Sequence, residues 1–177
     1  MLDRIDTRIL ETLQADGRAS QARVAQAVGL SAPAVNERIR KLEAAGIIQR
    51  YVAVVDPHKV GAAVTAFVEV FIEHPRSEAP FIKRVAAVTE VQEVHHVTGE
   101  FSLMLKVRTA SMDTLRTLLM DTINALPGVR QTRTVIVLAT AKEETRVTLA
   151  GANGDASDTP GPAARRARRR RTQEKTR

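Results

Sequence analysis

An α+β fold in two domains, followed by a basic tail, is what three observations along the 177 residues predict. Residues 20–45, SQARVAQAVGLSAPAVNERIRKLEAA, read as two helices joined at a tight glycine turn. From residue 63 onward, period-two apolar alternation and helical spacing take turns in the order βαββαβ. Beyond Leu149 no large apolar residue remains. The predicted organisation is a winged helix-turn-helix domain with its hinge over residues 1–60, a ferredoxin-like sandwich over 61–148, and a disordered Arg-rich tail over 149–177.

The first helix is predicted over residues 3–15, where Ile5, Ile9 and Leu13 form one stripe joined by Leu10. Asp3 and Asp6 favour its start by capping and by meeting the positive end of the helix dipole. A short second helix runs from about Gln21 to Ala27 with Val24 and Val28 inward, and Gly29 stops it, having no Cβ to resist a left-handed conformation. Ser31 caps the third helix and Pro33 falls in its first turn, where a missing N–H does no harm. Val35, Ile39 and Leu42 make the buried stripe; Asn36, Arg40 and Lys41 lie opposite, with Arg38 on a flank. A glycine turn between a short helix and a polar-faced one is the pattern of a DNA-reading helix-turn-helix. It also fits an ordinary helical hairpin with a solvated face. Gly46 ends the third helix, and Ile47 and Ile48 should return to the core. The β-branched run Gln49–Val55 is predicted to be a strand, the wing, and residues 57–61 a hinge after Asp56-Pro57.

In the second domain Val64, Ala66, Val68, Val70 and Ile72 alternate as a strand, and Phe67 and Phe71 make its other face apolar too. A helix over residues 77–87 carries Phe81, Val85 and Val88 inward. Strands follow over 91–98 and 101–108, joined by a turn at Gly99-Glu100. Ser111 caps a helix with Met112, Leu115, Leu119 and Ile123 inward, and a last strand spans 129–138. The two helices cover one face of such a sheet. The other face is left for a partner subunit.

Charge has to be divided before it carries meaning. Residues 151–177 hold eight of the 27 basic residues and three of the 20 acidic ones, so +5 of the net +7 sits in the tail. Its run RRARRRR, Arg165 to Arg171, suits phosphate contacts without sequence preference, or a dispensable solvated extension. There is no cysteine, which removes disulfides and cysteine zinc sites. No apolar run approaches a membrane span, so a soluble cytoplasmic protein, associated with the nucleoid, is expected. His95 and His96 point to opposite faces of one strand and do not jointly hold an ion, so packed or interfacial histidines are expected, and no metal. No nucleophile motif, phosphate loop or paired-carboxylate site is present, so no enzyme is expected.

These pieces resemble the Lrp/AsnC family of bacterial transcription regulators over roughly residues 2–145. LDRIDTRIL matches in the opening helix, VAQAVGLSAPAVNERIRKLEAAGIIQRY through the recognition helix, and VTGEFSLMLKV at the place of the family's G-(D/E)-(Y/F)-D turn. The resemblance implies double-stranded DNA as partner, a homodimer paired through its sheets, octamers built from such dimers, no cofactor, and an amino-acid effector at subunit interfaces. By position it implies DNA contacts from Ser31, Pro33, Asn36, Arg38, Arg40 and Lys41, with Gln21 and Arg23 near the backbone. Arg40 and Lys41 have the reach for phosphates, and Asn36 the amide to read an adenine edge. Arg38 suits a phosphate, or equally a pairing with Glu37, Asp16 or Glu43. The implied effector region is Gly99, Glu100, Phe101 and Ser102, with Thr134 on the neighbouring strand. Ser102 departs from the family, where an aspartate is usual. An architectural, nucleoid-compacting DNA-binding protein with little effector response is the alternative that the basic tail keeps open.

Overall fold

A computed structural model describes residues 2–149; the expected disordered tail lies outside them, apart from Leu149. They form two compact units, residues 2–52 with 144–149, and Ala53–Glu143. The division falls nearer Val52 than residue 60, and the end of the described chain belongs with the first unit. There the Gln14 side chain donates to the Val147 carbonyl (3.2 Å) and accepts from its N–H (2.7 Å), and Leu149 packs on the core.

The first unit is three helices, α1 (Arg4–Ala15), α2 (Gln21–Val28) and α3 (Ala32–Ala44). Its core is Ile9, Leu10, Val24, Ala25, Val35 and Leu42, the stripes that the spacing predicts. Ile48 packs against it, but Ile47 does not return to the core and stays 46 % exposed. Each helix start is capped as its sequence directs: Asp3, Ser20 and Ser31 accept from the backbone N–H three residues on. Gly29 takes φ +70° at the end of α2, which makes the tight turn into α3.

The predicted wing is not a strand. Residues 49–56 carry no secondary structure, and Tyr51, Val52, Val54 and Val55 are half exposed or more. Their β-branched composition favours extended backbone, but a strand needs a ladder partner, and the described residues offer none here. The hinge is a hydrogen-bonded turn, closed by the Ala62 N–H donating to the Pro57 carbonyl at 2.8 Å.

The second unit runs β1 (Val64–Ile72), α4 (Pro75–Val85), β2 (Val91–His96), β3 (Leu103–Thr109), α5 (Met112–Thr117), a π-helical turn (Leu118–Ile123) and β4 (Val129–Ile136). The sheet order is β2-β3-β1-β4 and every neighbouring pair is antiparallel, the ferredoxin-like arrangement of βαββαβ. Ala66, Val68, Val70 and Ile72 of β1 and Leu103, Leu105 and Val107 of β3 meet Phe81, Val85, Leu115, Leu118 and Ile123 from the helices. The last helix differs from its expected stripe. The wider π turn brings Leu118 and Ile123, five apart, to the core, while Leu119 packs only partly and Met112 is 53 % exposed.

The opposite sheet face carries Phe67, Glu69 and Phe71 of β1, Met104, Lys106 and Arg108 of β3, and Arg133 and Val135 of β4. The chain supplies part of a cover after all. Beyond β4, Glu143 returns to pair with Lys106 and with Arg108 (2.6 Å), and Glu69 is held by Arg133. The bonds from Lys106 and Arg108 hold the Glu143 carboxyl below the usual range; Arg133 does the same for Glu69, and His95 with Lys106 for Glu93. These groups bind protons more weakly folded than unfolded. Their contribution is complete above the unfolded values near 4.5 and is lost as pH falls through the lower folded ones. Thermal melts should therefore stay nearly flat from pH 7 to about pH 5 and drop below about pH 4.5. A melting temperature that rises on acidification would contradict these pairings.

Candidate nucleic-acid interface

At 100° per residue, the side of α3 opposite the buried Val35 and Leu42 is centred on Pro33, Glu37 and Arg40. Asn36 lies at one margin of that face and Lys41 at the other. Ser31, Pro33, Glu37, Arg40 and Lys41 are exposed and Asn36 is partly so. Arg40 has no carboxylate within ion-pair distance among the described residues. Lys41 meets Glu37 at 3.5 Å, both widely exposed, so a phosphate competes for it at little cost. Glu37 is the residue the sequence reading left out of this face: it lies four before Lys41, which is the signal for such a pair.

The remaining positions are tied to neighbours. Gln21, at the start of α2, donates to the Asn36 side-chain oxygen at 3.0 Å, so the two helices present one linked amide pair. Arg23 pairs with Asp16 at 2.6 Å while staying 64 % exposed. Arg38 is placed differently from its expected role. It stands about 160° around the helix from Asn36 and from Arg40, on the margin of the buried side. None of Glu37, Asp16 or Glu43 holds it; its guanidinium bridges Asp3 (2.7 Å) and Asp6 (2.6 Å) at the start of α1.

In the second unit, Gly99 turns at φ +121° between β2 and β3. The Ser102 N–H donates to the Val70 carbonyl and its own carbonyl accepts from Val97, both at 3.1 Å, so backbone bonds anchor the turn to β1 and β2. Phe101 is 6 % exposed, and the Arg133 guanidinium lies 5.1 Å from its ring centre. Glu69 and Glu100 both act on Arg133 to raise its pKa, Glu69 most. Thr134 is not part of this group. It pairs with Val68, whose side chain is in the helix-side core, and partners directly opposite share a face. Its neighbour Thr132 confirms that side by donating to Asn124 at 2.9 Å. Glu69 is legible as the lone charge of an apolar strand, and Arg133 as one of two arginines in β4.

His95 and His96 are exposed rather than packed; they meet Glu93 at 3.0 Å and Glu78 at 2.8 Å. Among the described residues no group of three metal-ligating side chains gathers, and no helix is long and apolar enough to cross a membrane.

Residues 2–49 match the family model for a winged helix-turn-helix DNA-binding domain, and residues 65–147 the one for the Lrp/AsnC ligand binding domain. The leucine-responsive regulatory protein of Escherichia coli is 41 % identical over 150 residues, 84 % of this chain and 92 % of the relative. The chain belongs to the Lrp/AsnC family. Two solved structures support the fold. A transcriptional regulator of Neisseria meningitidis in complex with L-Met superposes with a TM-score of 0.80 at 29 % identity, covering 84 % of this chain and 97 % of that one. The feast or famine regulatory protein of M. tuberculosis complexed with L-methionine gives 0.77 at 37 % identity, covering 83 % and 99 %. The Lrp/AsnC assignment thus spans both units, the helix-turn-helix and the sandwich.

Proposed function

We propose that this chain is a sequence-specific transcription regulator that reads double-stranded DNA with α3 and answers to a small amino acid. The observation that carries the reading is the capped helix-turn-helix whose outward face holds Arg40, flanked by Asn36 and Lys41, in one chain with the family's ligand-binding sandwich. In this reading Arg40 and Lys41 bind phosphates. Asn36, steadied by Gln21, reads a base edge, and Ser31, Pro33 and Arg23 approach the backbone. Arg38 is left out of the contact set because two carboxylates occupy it.

The working unit is a homodimer in the cytoplasm, associated with the nucleoid and assembling further into octamers, without enzymatic activity. Its sheet faces supply the contact: Val135 is 51 % exposed there and Phe67 and Phe71 are only partly covered. Two recognition helices on a dimer read half-sites about one helical turn apart. An amino acid carries a carboxylate and an ammonium group. The turn at Gly99–Ser102, with Arg133, Glu69 and Glu100 around Phe101, offers donors for the first and acceptors for the second. Ser102 presents a hydroxyl where the family's aspartate would add a charge, which shifts the preference towards a less basic ligand. Thr134, on the helix-side face, is left out of this site.

Selection of duplexes from a random pool, followed by footprinting at physiological salt, tests the DNA half. Enrichment of a pseudo-palindromic site is expected, and equal binding to all sequences would sink it. A thermal-shift series with the L-amino acids tests the effector half. A ligand at a hundred times its Kd adds about 2.7 kcal/mol of stability, readily seen as a raised melting temperature. If none of them moves it, the effector reading fails and the DNA reading stands.

A further inference from the structure

The start of α1 does two jobs with four carboxylate oxygens. Asp3 Oδ1 accepts the Asp6 N–H at 2.7 Å and Asp6 Oδ2 accepts the Asp3 N–H at 3.3 Å, a reciprocal capping box. The two remaining oxygens, Asp3 Oδ2 and Asp6 Oδ1, both accept from the same Arg38 nitrogen on α3. Arg38 is 31 % exposed, Asp6 18 % and Asp3 50 %, so the ion triad is sheltered at Asp6 and open at Asp3, and it links helices 32 residues apart in the chain. Beside it, Leu2, Ala34, Leu42 and Ile47 line an open groove of about 470 Å³, so apolar packing at this edge of α3 is thin.

An apolar stripe sets how close a helix lies, and sets its rotation about its own axis only as tightly as its packing is dense. Val35 and Leu42 are the buried residues of α3, seven apart on one line, and Ile39 and Ala32 pack partly to one side of it, away from Arg38. A polar tie off that line, at Arg38, resists roll. We infer that Arg38 is a positioning residue for DNA reading: clamped by the Asp3–Asp6 capping box, it fixes the roll of α3 and so the aim of Asn36. A small roll of α3 carries the Asn36 amide, several ångströms from the axis, off its base edge while leaving Arg40 and Lys41 able to reach phosphates. Loss of the clamp therefore costs selectivity first.

The inference rests on the regulator reading, and its test separates the two. The full-length protein selects a duplex from a random pool; if none is enriched, the regulator reading falls, and this one with it, before any variant is made. With an enriched duplex in hand, affinities for it and for a scrambled duplex are measured against salt for R38M, R38K and D3N/D6N at 10 °C, where circular dichroism reports folding. Asparagine caps a helix as well as aspartate does, so D3N/D6N removes the clamp and keeps the cap. The clamp predicts that R38M and D3N/D6N both lose roughly tenfold in the ratio of selected to scrambled affinity, with unchanged salt slopes, and that R38K recovers most of it. A phosphate-binding Arg38 gives the reverse pattern. R38M then weakens both duplexes alike and lowers the slope by about 1, and D3N/D6N binds as well as the wild type or better. That pattern overturns the proposal. Should R38M not fold, D3N/D6N decides alone by the same criterion.

Discussion

Replacing Arg40 and Lys41 together by alanine should weaken binding to a selected and to a scrambled duplex alike, and lower the salt slope by about 2. Each phosphate neutralised by a cation releases counterions worth about 0.9 in the slope of log affinity against log salt. Losing two such contacts takes about 1.8 from the slope. Between 50 and 200 mM salt the deficit of the variant then shrinks roughly tenfold, because the wild type loses that much more. Stability serves as the internal control. Both side chains are exposed, and the one ion pair broken, Lys41 with Glu37 at 3.5 Å, belongs to the class of surface pairs worth about 1 kcal/mol or less. A variant that melts like the wild type and binds DNA with an unchanged slope would remove both residues from the interface.

That prediction uses what periodicity could reveal. Three-dimensional neighbours spaced three and four apart in a helix, or two apart in a strand, are encoded locally. So the stripes of α1 and α3, the alternation of β1 and β3, and the caps Asp3, Ser31 and Ser111 all read directly. What failed to read depends on partners distant in the chain. Residues 49–55 have the composition of a strand and none of the ladder, since pairing is decided by what lies alongside. Arg38 looked like one more cation on a polar helix, because its carboxylates lie 32 and 35 residues away. Thr134 joins the effector region only through the family resemblance, and the register of β4 on β1 sets it on the helix-side face instead. The π turn after α5 moved the inward positions from Leu119 towards Leu118 for the same kind of reason: the spacing rule assumed 3.6 residues per turn. In the candidate site the outward cations were legible, and their acidic neighbours Glu37, Glu69 and Glu100 were legible as residues but not as partners.

The largest stability effect is expected at a residue with no side chain. Gly128, at the entry to β4, sits at φ +89°, and its carbonyl accepts the Glu73 N–H at 2.9 Å where β1 leads into α4. A Cβ built there would stand 2.3 Å from Ser77 Cβ and 2.6 Å from Ser77 Oγ, in the first turn of α4. Gly128→Ala thus meets two separate penalties. The left-handed backbone costs an L-residue roughly 1–2 kcal/mol, and forcing carbon into filled space costs about 1–3 kcal/mol more. A loss of about 3 kcal/mol, on the order of 15 °C for a unit of this size, is the expected result in thermal melts. The two terms can be told apart. Ser77→Ala keeps the clashing Cβ, so Ser77→Ala with Gly128→Ala should recover little. Ser77→Gly removes it, and the pair Ser77→Gly with Gly128→Ala should be less destabilised than the sum of its single variants, leaving mainly the backbone term. Additive losses in that double variant would mean that α4 has already given way, and that the approach of its first turn to Gly128 is not what holds this edge of the sandwich closed.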